Sequence, residues 1–286
     1  MKKLDPSFRK SLETAFGCAL GYLEDLNDKP VAAEVDLFRL RQRLNRVLTD
    51  EGVSPVQVIR ELVDDVEGGI VGSAGGRFFA WVVGGSLPAA LAADWLTSTW
   101  DQNAALYASG PAAAVVEEVA GGWLKELMGL PASASFALVN GCQMAHVTCL
   151  AAARHGLLAE RGWDVEQQGM YGAPPIRILS SDQRHGSFER ALRLLGFGLS
   201  QARYLPVDPQ GRLQADALDK ALAEAPSLPT IVLLQAGDVN IGAFDSFKTL
   251  RTWGTHAHNF ADYGVHSAAR QYWASAFAAS VVGFPV

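Results

Sequence analysis

From Ser135 onward, short apolar runs alternate with stretches of helical periodicity, and this alternation restricts the possible folds more than any other feature. Phe136-Ala137-Leu138-Val139 precedes a helical run with Val147, Leu150 and Ala151 on one face. Ile176-Arg177-Ile178-Leu179 precedes a helix in which Phe188, Ala191, Leu192 and Leu195 share a face, stopped by Gly196. Tyr204 to Val207 reads as a short strand and Asp208-Pro209-Gln210-Gly211 as a turn. A helix through Leu218 and Leu222 then leads to the strongest strand, Ile231-Val232-Leu233-Leu234. Such alternation predicts an α/β fold with a mainly parallel sheet flanked by helices. In such sheets ligands sit at the carboxyl ends of the strands, which directs attention to the residues after Val139, Leu179 and Leu234.

The N-terminal part differs. Residues 1–70 read as a helical segment, with Phe8, Leu12, Phe16, Leu20 and Leu23 at helical spacing and Leu40, Leu44 and Leu48 repeating the pattern after Pro30. Gly68 to Gly85 is a glycine-rich loop, and Pro88–Tyr107 and Pro111–Met128 read as helices with Pro near the first turn. The expected organisation is therefore a helical segment, 1–70, followed by a larger α/β domain, 71–286.

A formal charge of −6 and 19% charged residues give no basic footprint for nucleic acid and no Lys/Arg cluster for an anionic membrane. The most apolar stretch, Phe78 to Leu96, is interrupted by Gly84-Gly85 and Pro88, unlike a membrane span. Cys18, Cys142 and Cys149 lack metal-ligand spacing and suit a reducing compartment. The start of the chain has no apolar signal-peptide core, so a cytoplasmic protein is expected.

Three segments lie where ligands are expected. Asn140-Gly141-Cys142-Gln143-Met144-Ala145 opens a helix, where glycine permits close backbone approach and first-turn N–H groups favour a phosphate. Ser180-Ser181-Asp182-Gln183-Arg184-His185-Gly186-Ser187-Phe188 carries a histidine at a strand-to-helix junction; a helix cap is the ordinary use of such a residue. Gln235-Ala236-Gly237-Asp238-Val239-Asn240-Ile241-Gly242-Ala243-Phe244-Asp245 follows the strongest strand and reads, by itself, as a polar loop with Asp245 capping the next helix.

In this order the three segments resemble the group II pyridoxal-phosphate (PLP) dependent amino-acid decarboxylases, the family of the aromatic amino-acid, histidine and glutamate decarboxylases. Arg77-Phe78-Phe79, Pro88 to Leu96, Glu117-Glu118 with Trp123-Leu124, and Val207 to Leu213 add to the likeness, which extends over residues 15–250. The resemblance implies a fold-type I PLP-dependent transferase-like architecture, a homodimer, an amino-acid substrate and PLP as cofactor. It places Gly141, Cys142 and Gln143 at the cofactor phosphate, His185 on the pyridine ring as the catalytic histidine, and Asn240 beside the cofactor. His146 departs from the pattern, since relatives commonly carry a small polar residue or Asn there.

The likeness fails toward the end. The family uses a lysine to hold the cofactor covalently and a carboxylate to keep its ring protonated. The only carboxylate after Asp245 is Asp262, which precedes Val265-His266 instead of following it. No lysine follows Lys248, which has no histidine before it. The tail from residue 251 departs from the family pattern, and the small C-terminal domain is absent from the sequence. The expectation is a truncated decarboxylase, inactive as this polypeptide; the alternative is a non-catalytic PLP-binding or partner-binding fragment. A metal site from His256, His258 and His266 has poor spacing. A nicotinamide-binding reading lacks its GxGxxG.

Overall fold

The structure is a computed structural model that describes residues 5–246, apart from Val82, Gly84, Pro131 and Ser133. The chain divides into two compact units, one ending at Ser98 and the other beginning at Thr99.

The first unit is helical. α1 (Pro6–Asp25) starts behind Asp5, whose carboxylate accepts the Ser7 N–H at 2.8 Å. α2 (Leu37–Leu44) and α3 (Pro55–Val66) begin with the same device, using Asp36 and Ser54. α3 packs against both α1 and α2. Arg46, just past α2, ties the pair by bonding Glu61 and Asp65 on α3. α2 leaves the helical path at Asn45, so Leu48 lies beyond it and is 97% exposed, contrary to its reading as part of a helical stripe. α4 (Pro88–Trp100) ends earlier than the expected Tyr107, because Asp101 adopts the left-handed conformation at φ 47°.

The second unit contains α5 (Pro111–Leu127), α6 (Cys142–Ala159), the single turn α7 (Val165–Gln168), β1 (Arg177–Ser181), α8 (Gly186–Leu194), β2 (Ala202–Leu205), α9 (Ala215–Ala223) and β3 (Thr230–Leu233). The strands form one parallel sheet in the order β2-β1-β3, with Leu179 opposite both Arg203 and Val232. Alternation along β1 sends adjacent residues to opposite faces. Ile178 joins Leu150, Leu158, Phe188 and Leu192 in a core shared with α6 and α8. Leu179 joins Leu205, Leu213, Leu218 and Ala221 in a second core under α9. The expected parallel sheet flanked by helices is present.

One expected strand is not. Residues 136–139 pair with no strand among the described residues, and Leu138 remains 50% exposed. The Phe136 ring instead lies against Gly121 of α5, where a Cβ would stand 2.1 Å from it. An apolar run with no neighbouring edge to hydrogen-bond to stays extended without becoming a strand.

Candidate functional site

The carboxyl end of β1 runs directly into the segment that starts α8. His185 is the N-cap of that helix, its Nδ1 accepting the Ser187 N–H at 3.2 Å. The ordinary use of a histidine at this junction is therefore realised, and the imidazole remains exposed beside it. Arg184, one residue earlier, is committed elsewhere. It pairs with Glu189 and lies over the Tyr204 ring at 3.6 Å, and its cationic hydrogen bonds hold the Glu189 carboxyl below the usual range.

α6 reaches the same junction. Gly141 caps it with φ 86° and ψ 171°, a conformation open to glycine and strained for other residues. A Cβ built on Gly141 meets nothing within 4 Å, so the space beside the cap residue is open. Cys142 and Gln143 form the start of the first turn, and Met144 donates its N–H to the Gly141 carbonyl at 3.1 Å. Gln143 fastens the helix start to α8: its Nε2 donates to the Ser187 carbonyl at 3.1 Å, and its Oε1 accepts from Arg190 Nε at 2.8 Å.

A second link lies one turn deeper. Ser187 is buried, and its Oγ stands 2.6 Å from His185 Nδ1 and 3.0 Å from His146 Nδ1. Burial, and then the proximity of His185, push the His146 pKa below the ordinary histidine value. His146 and Ser187 were visible in the sequence only as an atypical residue and as part of a segment. Neither had a signal of its own, because their link spans 41 residues of chain.

The loop after β3 leaves from the same carboxyl edge of the sheet. Asp238 organises its tip, accepting the N–H groups of Asn240 and Ile241 at 2.8 and 2.9 Å. Asp245 does not cap a following helix within the described residues. Its carboxylate is buried and accepts the N–H groups of Leu213 and Gln235. The structure thus joins Gln143, His146, Ser187 and His185 directly. Asn240 emerges from the same edge, but among the described residues no hydrogen bond connects it to α6 or α8. Lys248, Asp262, His256, His258 and His266 lie outside the described residues. Among the described residues, no group of three or more His, Cys, Asp or Glu is arranged to hold a metal ion. No described helix is long and apolar enough to cross a membrane.

This arrangement suits a phosphorylated aromatic group. An open glycine cap and a helix N-terminus offer N–H donors to the phosphate, and an exposed imidazole offers a face to a ring. Residues 39–266 match the family model described as the pyridoxal-dependent decarboxylase conserved domain. The chain is 30% identical over 234 residues to an aromatic-L-amino-acid decarboxylase of Bacillus atrophaeus, covering 81% of this chain and 46% of the relative. It is 23% identical over 252 residues to a glutamate decarboxylase of Drosophila melanogaster, covering 86% and 48%. Among solved structures, the Oryza sativa TDC with PLP superposes with a TM-score of 0.80 at 23% identity, covering 91% of this chain and 57% of that one. The chain spans about half the length of the curated relatives it matches.

Proposed function

The chain belongs to the pyridoxal-dependent decarboxylase family, and from that membership we propose that its second unit binds pyridoxal phosphate at the carboxyl edge of the sheet without decarboxylating an amino acid by itself. The observation that carries the reading is the fastening of the α6 N-terminus to the His185 junction through Gln143 and Ser187. In this reading the first turn of α6, at Gly141, Cys142 and Gln143, holds the phosphate. His185 covers the ring, and Asn240 approaches from the loop after β3.

Pyridoxal phosphate supplies an electron sink that stabilises the carbanion left when a carboxylate departs. The residues of this chain supply the binding and orientation, while the two described lysines of the second unit are engaged elsewhere. Lys125 donates to the Ala132 and Ala134 carbonyls, and Lys220 faces solvent beside Asp216 on α9. Lys248, the remaining lysine of the second unit, lies outside the described residues. The same reading makes the protein cytoplasmic, descended from an enzyme acting on an amino acid, and homodimeric. The exposed stripe of Phe8, Leu12, Phe16 and Leu20 on α1 supports a partner surface.

The test is borohydride reduction of the purified chain mixed with PLP, followed by mass mapping. The expected result is a change in the cofactor absorption spectrum on binding with no lysine adduct. A stoichiometric adduct on any lysine overturns the non-catalytic part of the reading, and an unchanged spectrum overturns cofactor binding.

A further inference from the structure

The contacts of Ser187 determine where the protons of two histidines reside. A hydroxyl has one proton to donate and lone pairs to accept with. Its Oγ sits between His185 Nδ1 at 2.6 Å and His146 Nδ1 at 3.0 Å. The backbone N–H of Ser187 also points at His185 Nδ1 from 3.2 Å. That nitrogen is therefore an acceptor, and the nearby hydroxyl has to donate to it as well. A lone pair of Oγ is left facing His146, so His146 Nδ1 carries a proton. The opposite polarity would set a His185 Nδ1–H against the Ser187 N–H and break the helix cap.

We propose that His146 is a positioning residue which, through Ser187, locks His185 in the Nε2–H tautomer. The chain of donors runs from His146 Nδ1–H to Ser187 Oγ, and from Ser187 Oγ–H to His185 Nδ1. The hydrogen of His185 then lies on Nε2, across the ring from the buried serine. His185 thus presents a donor, not an acceptor, to whatever it meets on its exposed side. The lowered pKa of His146 agrees with this, because a neutral imidazole with its hydrogen on Nδ1 fills the role without a buried charge. An amide N–H could do the same, so asparagine at this position preserves the donor. The use of the Nε2–H toward a cofactor or carboxylate rests on the proposed cofactor reading; the tautomer itself depends only on these three residues, the Ser187 backbone N–H included.

The experiment is long-range 1H–15N correlation spectroscopy on the full chain with 15N-labelled histidine, at neutral pH and with no cofactor added. The wild type should show His185 as the Nε2–H tautomer and His146 as the Nδ1–H tautomer. His146→Asn should leave the His185 pattern intact, whereas His146→Leu and Ser187→Ala should turn it into a mixture of tautomers. A wild-type His185 with its hydrogen on Nδ1 overturns the proposal, even if no variant folds. So does a folded His146→Leu protein whose His185 pattern is unchanged. PLP binding is read separately by absorbance, so failure to bind overturns the cofactor reading and leaves the tautomer standing.

Discussion

The Asp245 carboxylate accepts the backbone N–H of Leu213 at 2.7 Å, although the two residues are separated by 32 positions in the chain. Its other oxygen accepts the Gln235 N–H at the same distance, so one buried side chain clamps the loop after β3 to the turn before α9. Burial raises the Asp245 pKa above its ordinary value, and the two N–H bonds only partly offset this. A carboxyl whose pKa is raised by folding contributes stability that is fully present below 3.8 and is lost as pH rises through the folded value. Asp245→Asn should remove this dependence, so the stability gap between wild type and variant should widen as pH falls from neutral toward 3.8. Asp245→Ala leaves two N–H groups without their acceptor, at about 1–3 kcal/mol each where buried. Urea denaturation at several pH values checks both.

Phe188 is fully buried between α6, α8 and the sheet. Phe188→Ala should cost about 3–5 kcal/mol through lost burial and the cavity left behind. Because α8 begins at the His185 junction, the variant should also weaken PLP binding if the cofactor sits there. Phe188→Leu, which fills more of the space, should recover most of the stability. Chemical denaturation and an absorbance titration separate the two effects.

Two glycines should fail for different reasons. Gly121→Ala places a methyl group 2.1 Å from the Phe136 ring, so the ring must move, at a cost of about 1–3 kcal/mol. Gly141→Ala meets no atom within 4 Å, yet it forces φ 86° on a residue with a side chain, also about 1–3 kcal/mol. Only the second should impair PLP binding, because relaxing that strain reorients the first turn of α6. Thermal melts with and without PLP distinguish them.

The strand-helix alternation from Arg177 onward was legible because each element buries a continuous face, and period alone reveals such faces. Ile178 and Leu179 fill different cores, which is why adjacent residues of β1 are both apolar instead of alternating with polar ones. Residues 136–139 look the same in composition, but a strand also needs a neighbouring edge, and sequence does not display one. The turn at Gly141 and the junction at His185 stand out locally by backbone geometry and position, but only the family resemblance pointed them toward a cofactor. The link from His146 through Ser187 and the clamp at Asp245 are long-range, and their residue types are ordinary, so only packing reveals them.

His185 combines a structural duty with the proposed chemical one, and substitutions can separate them. His185→Asn keeps a good N-cap for α8 and should change stability by less than about 1 kcal/mol. It removes the ring face, and a stacking contact of about 0.5–1.5 kcal/mol corresponds to a roughly 2- to 10-fold loss of PLP affinity. His185→Ala should show the same affinity loss together with about 1 kcal/mol of destabilisation from the missing cap. Equal PLP affinities in the wild type and His185→Asn would mean that the imidazole does not touch the cofactor.

The purified 286-residue chain should release no CO2 from aromatic or acidic amino acids beyond the rate of PLP alone. The family's chemistry needs an amine on the protein that holds the cofactor and returns it after each turnover. Lys125 is occupied by two backbone carbonyls, and Lys220 is an exposed residue of α9, paired with Asp216. Lys248, the other lysine of the second unit, and Asp262, the only carboxylate after Asp245, are its candidates for the amine and for the ring carboxylate, and neither matches the family's order of residues. Lack of the amine would be the graver defect, since a weakened electron sink slows carboxylate loss, whereas without the amine the product is not released from the cofactor. A manometric or coupled assay with PLP in excess measures this directly. Sustained CO2 release that disappears in His185→Ala would reveal a working amine, and Lys248→Ala would then show whether it is that residue.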